Sequence, residues 1–151
     1  MNTEYTWPQG RFNREFDLDT QKTDLHHLYP TFSRINAEQG NYPFANVGST
    51  TNKKSLFCQG PKLGKADQLG DGVYFEPANE HKGNVARALF YFSVRYKVAI
   101  STTEEIFLKF WHMVDPVDES EKQRHEGIAS VQKNRNPFID RPELVLRISD
   151  F

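Results

Sequence analysis

The chain has 151 residues, with 19 basic and 20 acidic side chains, twelve Phe, six Tyr and two Trp. That length suits a single domain spanning 1–151, the aromatic content argues for a packed core and against disorder, and the charge balance excludes a uniformly basic nucleic-acid binder while leaving room for a local basic cleft. Cys58, the only cysteine, rules out an intrachain disulfide and a cysteine-cluster metal site. The absence of a long apolar run argues against a membrane span, and the absence of a basic start with an apolar core leaves a cytoplasmic protein or a mature or truncated chain.

In chain order, residues 4–41 read as a strand, an irregular loop, a second extended segment around Leu25 to Leu28, and a short helix beginning near Pro30 or Thr31. Pro8 and Pro30 limit regular structure through them. From Asn46 to Gly83 the pattern predicts short strands at Ala45 to Ser49, Lys54 to Cys58 and Val73 to Phe75, with turns at Gly60-Pro61 and Gly70-Asp71-Gly72. Asn84 is then placed to cap a helix whose stripe is Val85, Leu89, Phe92 and Tyr96, with Arg87 and Arg95 away from its centre. Thr102 with Glu105 has capping-box spacing before Ile106, Phe110 and Met113, and Asp118 with Glu121 repeats it before Ile128 and Val131. Three helices needing a shared apolar partner, supplied by short strands and aromatic residues, make the class α+β.

The polar constellation with chemical potential is Glu4, Asp24, His26, His27 and Asn36. Glu4 and Asn36 offer hard oxygen ligands for magnesium, calcium or manganese, while either histidine suits a softer ion or proton exchange. Spacing alone does not choose: His26-His27 equally reads as one buried hydrogen-bonding ring plus one surface ring, and Asn36 as a cap or turn. Trp7 and Phe12 suit contacts to a sugar or base, or the core.

Glu4-Tyr5-Thr6-Trp7-Pro8-Gln9-Gly10-Arg11-Phe12 resembles the Glu-His-Thr-Trp-Pro-Gln-Ser-x-Phe segment of bacterial nucleases of the endonuclease I family. Asp24 to Pro30 resembles the family's next motif, and Asn36 to Phe44 its Asn-x-x-Arg-Gly-Asn-Tyr-Pro-Phe stretch. Phe75-Glu76-Pro77, Lys82 to Ala88 with Phe90-Tyr91, Asp115-Pro116-Val117 and Asn134 to Asp140 continue the match in order along nearly the whole chain.

The resemblance implies a compact ββα-metal (His-Me finger) nuclease core packed with several long helices. It implies Glu4 and Asn36 as ligands of one divalent cation, Mg2+ foremost with Ca2+ or Mn2+ as alternatives, and Asp24, His26, His27 and Gln39 as supporting residues. The family's general base follows the acidic ligand directly, and here that position holds Tyr5. Neutral histidine accepts a proton near physiological pH, whereas tyrosine as a residue type ionises near pH 10. The departure points to an impaired or inactive form of a metal-dependent endonuclease acting on DNA, and on RNA as a second substrate. The alternatives are a remodelled centre in which Tyr5 is ionised, an enzyme using His26 or His27 as base, and a catalytically inactive nucleic-acid-binding or protein-interaction module. Gly10 stands for the family's serine and Gln39 for its arginine, which removes a charge suited to a phosphate. Relatives of this kind carry a helical portion before the catalytic segment, and secreted or periplasmic locations are implied. Arg11, Arg14, Arg34, Lys53, Lys54, Lys133 and Arg135 are the candidates for phosphate contacts, which would position a backbone without reading bases; a solvated charged surface explains each of them as well.

Overall fold

The structure is a computed structural model that describes residues 2–50, 60–66 and 72–151. Its architecture is α+β, with two small antiparallel sheets packed against long helices. Strands β1 (Asn2–Tyr5) and β2 (Leu28–Thr31) pair antiparallel, with Glu4 opposite Tyr29 and Tyr5 opposite Leu28. Pro30 is compatible with β2 because β1 is that strand's only sheet neighbour among the described residues, leaving an edge that needs no amide donor. Between the two strands lie a short helix α1 (Leu18–Thr23) and a 3-10 turn (Leu25–His27), and after β2 comes α2 (Ser33–Gln39). The chain leaves α2 through Gly40 at φ 49, a conformation costly for other residues.

A second sheet has the order β3 (Val47–Thr50), β4 (Lys62–Ala66), β5 (Val73–Glu76). It is followed by α3 (Lys82–Tyr96), α4 (Thr102–Val114), α5 (Glu119–Gln132) and the single turn α6 (Pro137–Asp140). Helix α3 is the central pillar, buried almost throughout. Trp7 stacks on Phe92 with ring centroids 5.0 Å apart, and Phe90 stacks on Phe151 at 4.3 Å. Ile100 N–H donates to the Phe151 carbonyl, which ties the tail to the loop between α3 and α4. Among the described residues no helix is long and apolar enough to cross a membrane.

Several elements differ from the sequence reading. Helix α3 begins at Lys82, so Asn84 lies inside its first turn and does not cap it. Ser101, not Thr102, caps α4 by accepting from Glu104 N, whereas Asp118 caps α5 as its spacing predicts. The stripe Ile106, Phe110, Met113 faces outward, at 60%, 46% and 55% exposure. Glu104 and Glu105 take inward positions instead because each has a cation, Arg11 and Lys109 respectively. Val131 is likewise exposed, while Ile128 is buried. Leu25 to His27 is a 3-10 turn that precedes the strand, and the following helix starts at Ser33, beyond Thr31. The strand expected at Lys54 to Cys58 lies outside the described residues.

Arg87 is a further correction. Expected away from the helix centre, it is fully buried and forms a two-pronged ion pair with Glu121, Nε to Oε1 at 2.8 Å and Nη2 to Oε2 at 2.6 Å. Its remaining nitrogen donates to the Asp115 carbonyl at 2.9 Å. A buried guanidinium satisfied on all sides is tolerated where an unpaired one would not be. Gly83 allows this junction to close, since a Cβ there would overlap the Asp115 carbonyl and the Arg87 guanidinium.

Candidate active site

Alternation along β1 turns Glu4 and Tyr5 to opposite faces of the strand. Glu4 is 7% exposed and borders a cavity of about 300 Å³ whose walls include Thr31, Phe32, Ile35, Pro77 and His81. Burial pushes its carboxyl above the usual carboxylate range, and the hydrogen bond from Thr31 offsets only part of that. Among the described residues no cationic side chain forms an ion pair with it. A buried carboxylate without a counter-charge fits a hard divalent cation, which would favour the ionised form that burial opposes.

Tyr5 turns into a second depression of about 390 Å³, shared with Asn36, Gln39, Gln9, Gly10 and Asn41. Its ring lies 5.9 Å from His27 and 6.5 Å from Phe12, centroid to centroid. Helix α2 packs on β1, and the Asn36 side-chain amide donates to the carbonyl of Thr3, next to Glu4, at 3.3 Å. Gln39 is 1% exposed, and among the described residues its amide nitrogen has no hydrogen-bond partner. Glu4, Tyr5, Asn36 and Gln39 therefore all belong to the β1-β2-α2 unit, with Glu4 bordering one depression and the other three the next. Among the described residues there is no cluster of three or more His, Cys, Asp or Glu side chains able to hold a metal. One carboxylate and one amide would leave most of a hard cation's shell to other oxygen ligands such as water.

Asp24 and the adjacent histidines brace this unit from behind. Asp24 accepts from the hydroxyls of Tyr91 and Tyr96, from the Gln132 amide and from His26 N. Burial works against its charge, but these hydrogen bonds outweigh burial and hold the carboxyl below the usual range. His26 and His27 are both buried, so neither is a surface ring. His27 bonds the Gln21 carbonyl through Nε2 at 2.7 Å, and burial lowers its pKa to about 4. His26 packs against Tyr91 at 4.6 Å, with its pKa also lowered by burial. Neither histidine borders the Glu4 or Tyr5 depression.

The candidate phosphate-binding cations divide sharply. Arg11 is paired with buried Glu104 and lies over Trp7, which is itself a core residue. Arg135 is held by Glu126 and Asp140, Arg34 by Glu38, and Lys133 donates to the Ser130 carbonyl. Arg14, by contrast, borders a third depression with Lys22, Gln9, Gly10 and Phe12, beside the one that holds Tyr5. Lys53 and Lys54 lie outside the described residues. Sequence reasoning missed His81, Thr31 and Arg124; the last donates to the carbonyls of Leu25 and Leu28 and lies over the Tyr29 ring at 4.0 Å. Only residue type marked His81 in advance, since its position depends on how α3 meets the hairpin.

Residues 1–143 match the sequence profile of the family described as Endonuclease I. The chain is 37% identical over 161 aligned residues to an extracellular ribonuclease of Bacillus amyloliquefaciens, covering 94% of this chain and 51% of that protein. It is 34% identical to an extracellular ribonuclease of Bacillus subtilis, over 94% of this chain and 51% of the relative, and 26% identical to an extracellular deoxyribonuclease of Aeromonas hydrophila, over 89% of this chain and 58% of the relative. The chain thus spans about half the length of these curated relatives. With a family profile matched along nearly its whole length and a hairpin followed by a helix carrying the matched motifs, the chain belongs to the Endonuclease I family of nucleases.

Proposed function

We propose that these 151 residues form one catalytic domain of a metal-dependent endonuclease that hydrolyses phosphodiester bonds in DNA and RNA without strong sequence specificity, slowed at its proton-transfer step by Tyr5. The observation that carries this reading is Glu4: a buried carboxylate lacking a counter-charge among the described residues, on the strand against which the Asn36 helix packs. Glu4 and Asn36 would hold the divalent cation, Mg2+ first and Ca2+ or Mn2+ as alternatives. When bound there, such a cation supplies charge stabilisation to the phosphate and the leaving oxygen.

The chain's own residues account for the remaining roles. Thr31 lines the same cavity as Glu4 and favours the ionised carboxylate, against the effect of burial. Asp24, His27 and Arg124 fix the turn and strand that face β1. Arg14 and Lys22 offer charge to a phosphate backbone beside the Tyr5 depression, a contact blind to base identity and so suited to both nucleic acids. The names of the relatives, ribonucleases and deoxyribonucleases alike, support that breadth and an extracellular or periplasmic setting. Tyr5 itself favours a second reading, a nucleic-acid-binding module that keeps the nuclease scaffold without turnover.

Plasmid nicking and RNA cleavage with Mg2+, with EDTA, and in Glu4→Gln decide the matter. The expected result is slow, EDTA-sensitive cleavage that Glu4→Gln abolishes, with Mg2+ affinity by calorimetry reduced about tenfold or more. Cleavage that persists in EDTA, or a Glu4→Gln protein that binds Mg2+ as tightly as the parent, would contradict the assignment. Nucleic-acid binding in Mg2+ with no cleavage in the parent would select the binding-module reading.

A further inference from the structure

Of the five histidines, four have a ring nitrogen near a protein partner. His27 bonds the Gln21 carbonyl, His112 the Pro142 carbonyl and His125 the Asp140 carboxylate, while His26 lies 3.4 Å from the Asn134 carbonyl. His81 differs. It ends the 3-10 turn directly before α3 and borders the same cavity as Glu4, and among the described residues neither of its nitrogens is hydrogen-bonded. Its ring stands edge-on to Tyr29 at 4.7 Å and 82°, and Tyr29 is the cross-strand partner of Glu4. The hairpin and the start of α3 thus bring a free imidazole and a buried carboxylate to one solvent-reachable cavity.

We propose that His81 is the proton acceptor in the residual phosphodiester hydrolysis of this chain, acting across the Glu4 cavity in the role that position 5 no longer fills. The proposal rests on the nuclease reading above. In the step it describes, a water O–H bond breaks and its proton passes to an imidazole nitrogen of His81, while the water oxygen forms a bond to phosphorus. The phosphorus bond to the leaving oxygen breaks, that oxygen keeps the electron pair and takes a proton from solvent, and the imidazolium later returns its proton to solvent.

The surroundings keep His81 ready to accept. Burial lowers its proton affinity first, Arg124 on α5 lowers it further, and Asp115 after α4 and Glu80 on its own turn oppose this. Tyr29 on β2 meets the ring edge-on from outside the cavity lining, and Glu4 on β1 is the titratable group that shares the cavity with His81. The net direction is downward from the ordinary histidine value, so the ring is neutral at physiological pH.

A double-mutant cycle with Tyr5→His tests this with Mg2+ and a plasmid substrate. On the parental background, His81→Gln is expected to lower kcat about 100-fold or more, with KM and Mg2+ affinity unchanged. On the Tyr5→His background the same substitution should change kcat by less than about threefold, because the base is then supplied from position 5. Equal losses on both backgrounds would assign His81 a structural role and overturn the proposal, as would an unchanged rate in His81→Gln. If the parent does not turn over but Tyr5→His does, the proposal fails and the nuclease reading stands; if neither cleaves, both fail. His81→Asn replaces His81→Gln should the latter melt early. Independently of any variant, the His81 ring 15N resonances are expected to shift when a phosphorothioate oligonucleotide is added with Ca2+, and an unmoved signal at saturation overturns the proposal.

Discussion

Replacing Arg87 with methionine should destabilise the protein by about 3 to 5 kcal/mol, the range for leaving one partner of a buried ion pair uncompensated. The size follows from what is left behind. Glu121 would lose both of its guanidinium bonds, at 2.8 and 2.6 Å, and the Asp115 carbonyl would lose its donor at 2.9 Å. Both side chains of the pair are 1% exposed, so water cannot replace those bonds without opening the junction of α3, α4 and α5. For a domain of this length such a loss lowers Tm by roughly 6 to 20 °C, readable by calorimetry and by urea titration at pH 7. The double variant Arg87→Met with Glu121→Leu should recover much of the loss, because two apolar groups leave no buried charge. A loss below about 1 kcal/mol in the single variant, or a double variant no better than the sum of the singles, would refute the assignment of this pair as a buried brace.

Two further outcomes follow from buried titrating groups. His27 has its proton affinity lowered by burial, from the ordinary 6.5 to about 4, so the folded state binds fewer protons than the unfolded chain across that interval. Its contribution is complete above pH 6.5 and is lost as pH falls toward about 4, a change of about 3 kcal/mol that urea titrations across the window should detect. The His27 ring resonances should not titrate above about pH 5, and a midpoint near 6.5 would contradict its buried state. Glu4 has the opposite sign: its raised carboxyl favours the fold at low pH and penalises it as pH rises through the folded-state value. Mg2+ should therefore raise Tm more at pH 8 than at pH 5, and Glu4→Gln should remove that difference; an equal increment at both pH values in the parent would count against Glu4 as a ligand.

The long helices were legible because capping chemistry and apolar spacing are local. Asp118 and Glu121 gave the start of α5 correctly. Ser101 displaced Thr102 by one residue, because either hydroxyl suits the same box and the chain entering α4 decides between them. The outward face of α4 was not legible, since it depends on Arg11, nearly a hundred residues earlier, neutralising Glu104. The short helix α1 escaped notice because its start depends on the Asp17 cap to Thr20 N and its Leu18 points outward. Glu4, Tyr5 and Asn36 were singled out by motif order alone, and the hairpin and helix that carry them form one unit in the fold. His81 was not, because no local pattern links the turn before α3 to β1, and only the folded cavity joins them.

On the proposed reading the chain keeps a metal-bearing nuclease framework and is slow for want of a base at position 5, and kcat for plasmid cleavage in Mg2+ by Tyr5→His measures this most directly. Tyr5 lines the depression that also contains Asn36 and is half-buried against Phe12 and His27, so an imidazole fits there without repacking the core. The expected result is a rise of about 100-fold or more in kcat, with Tm and Mg2+ affinity unchanged. A parent that already cleaves efficiently, and loses rate in Tyr5→His while folding and metal binding hold, would contradict it.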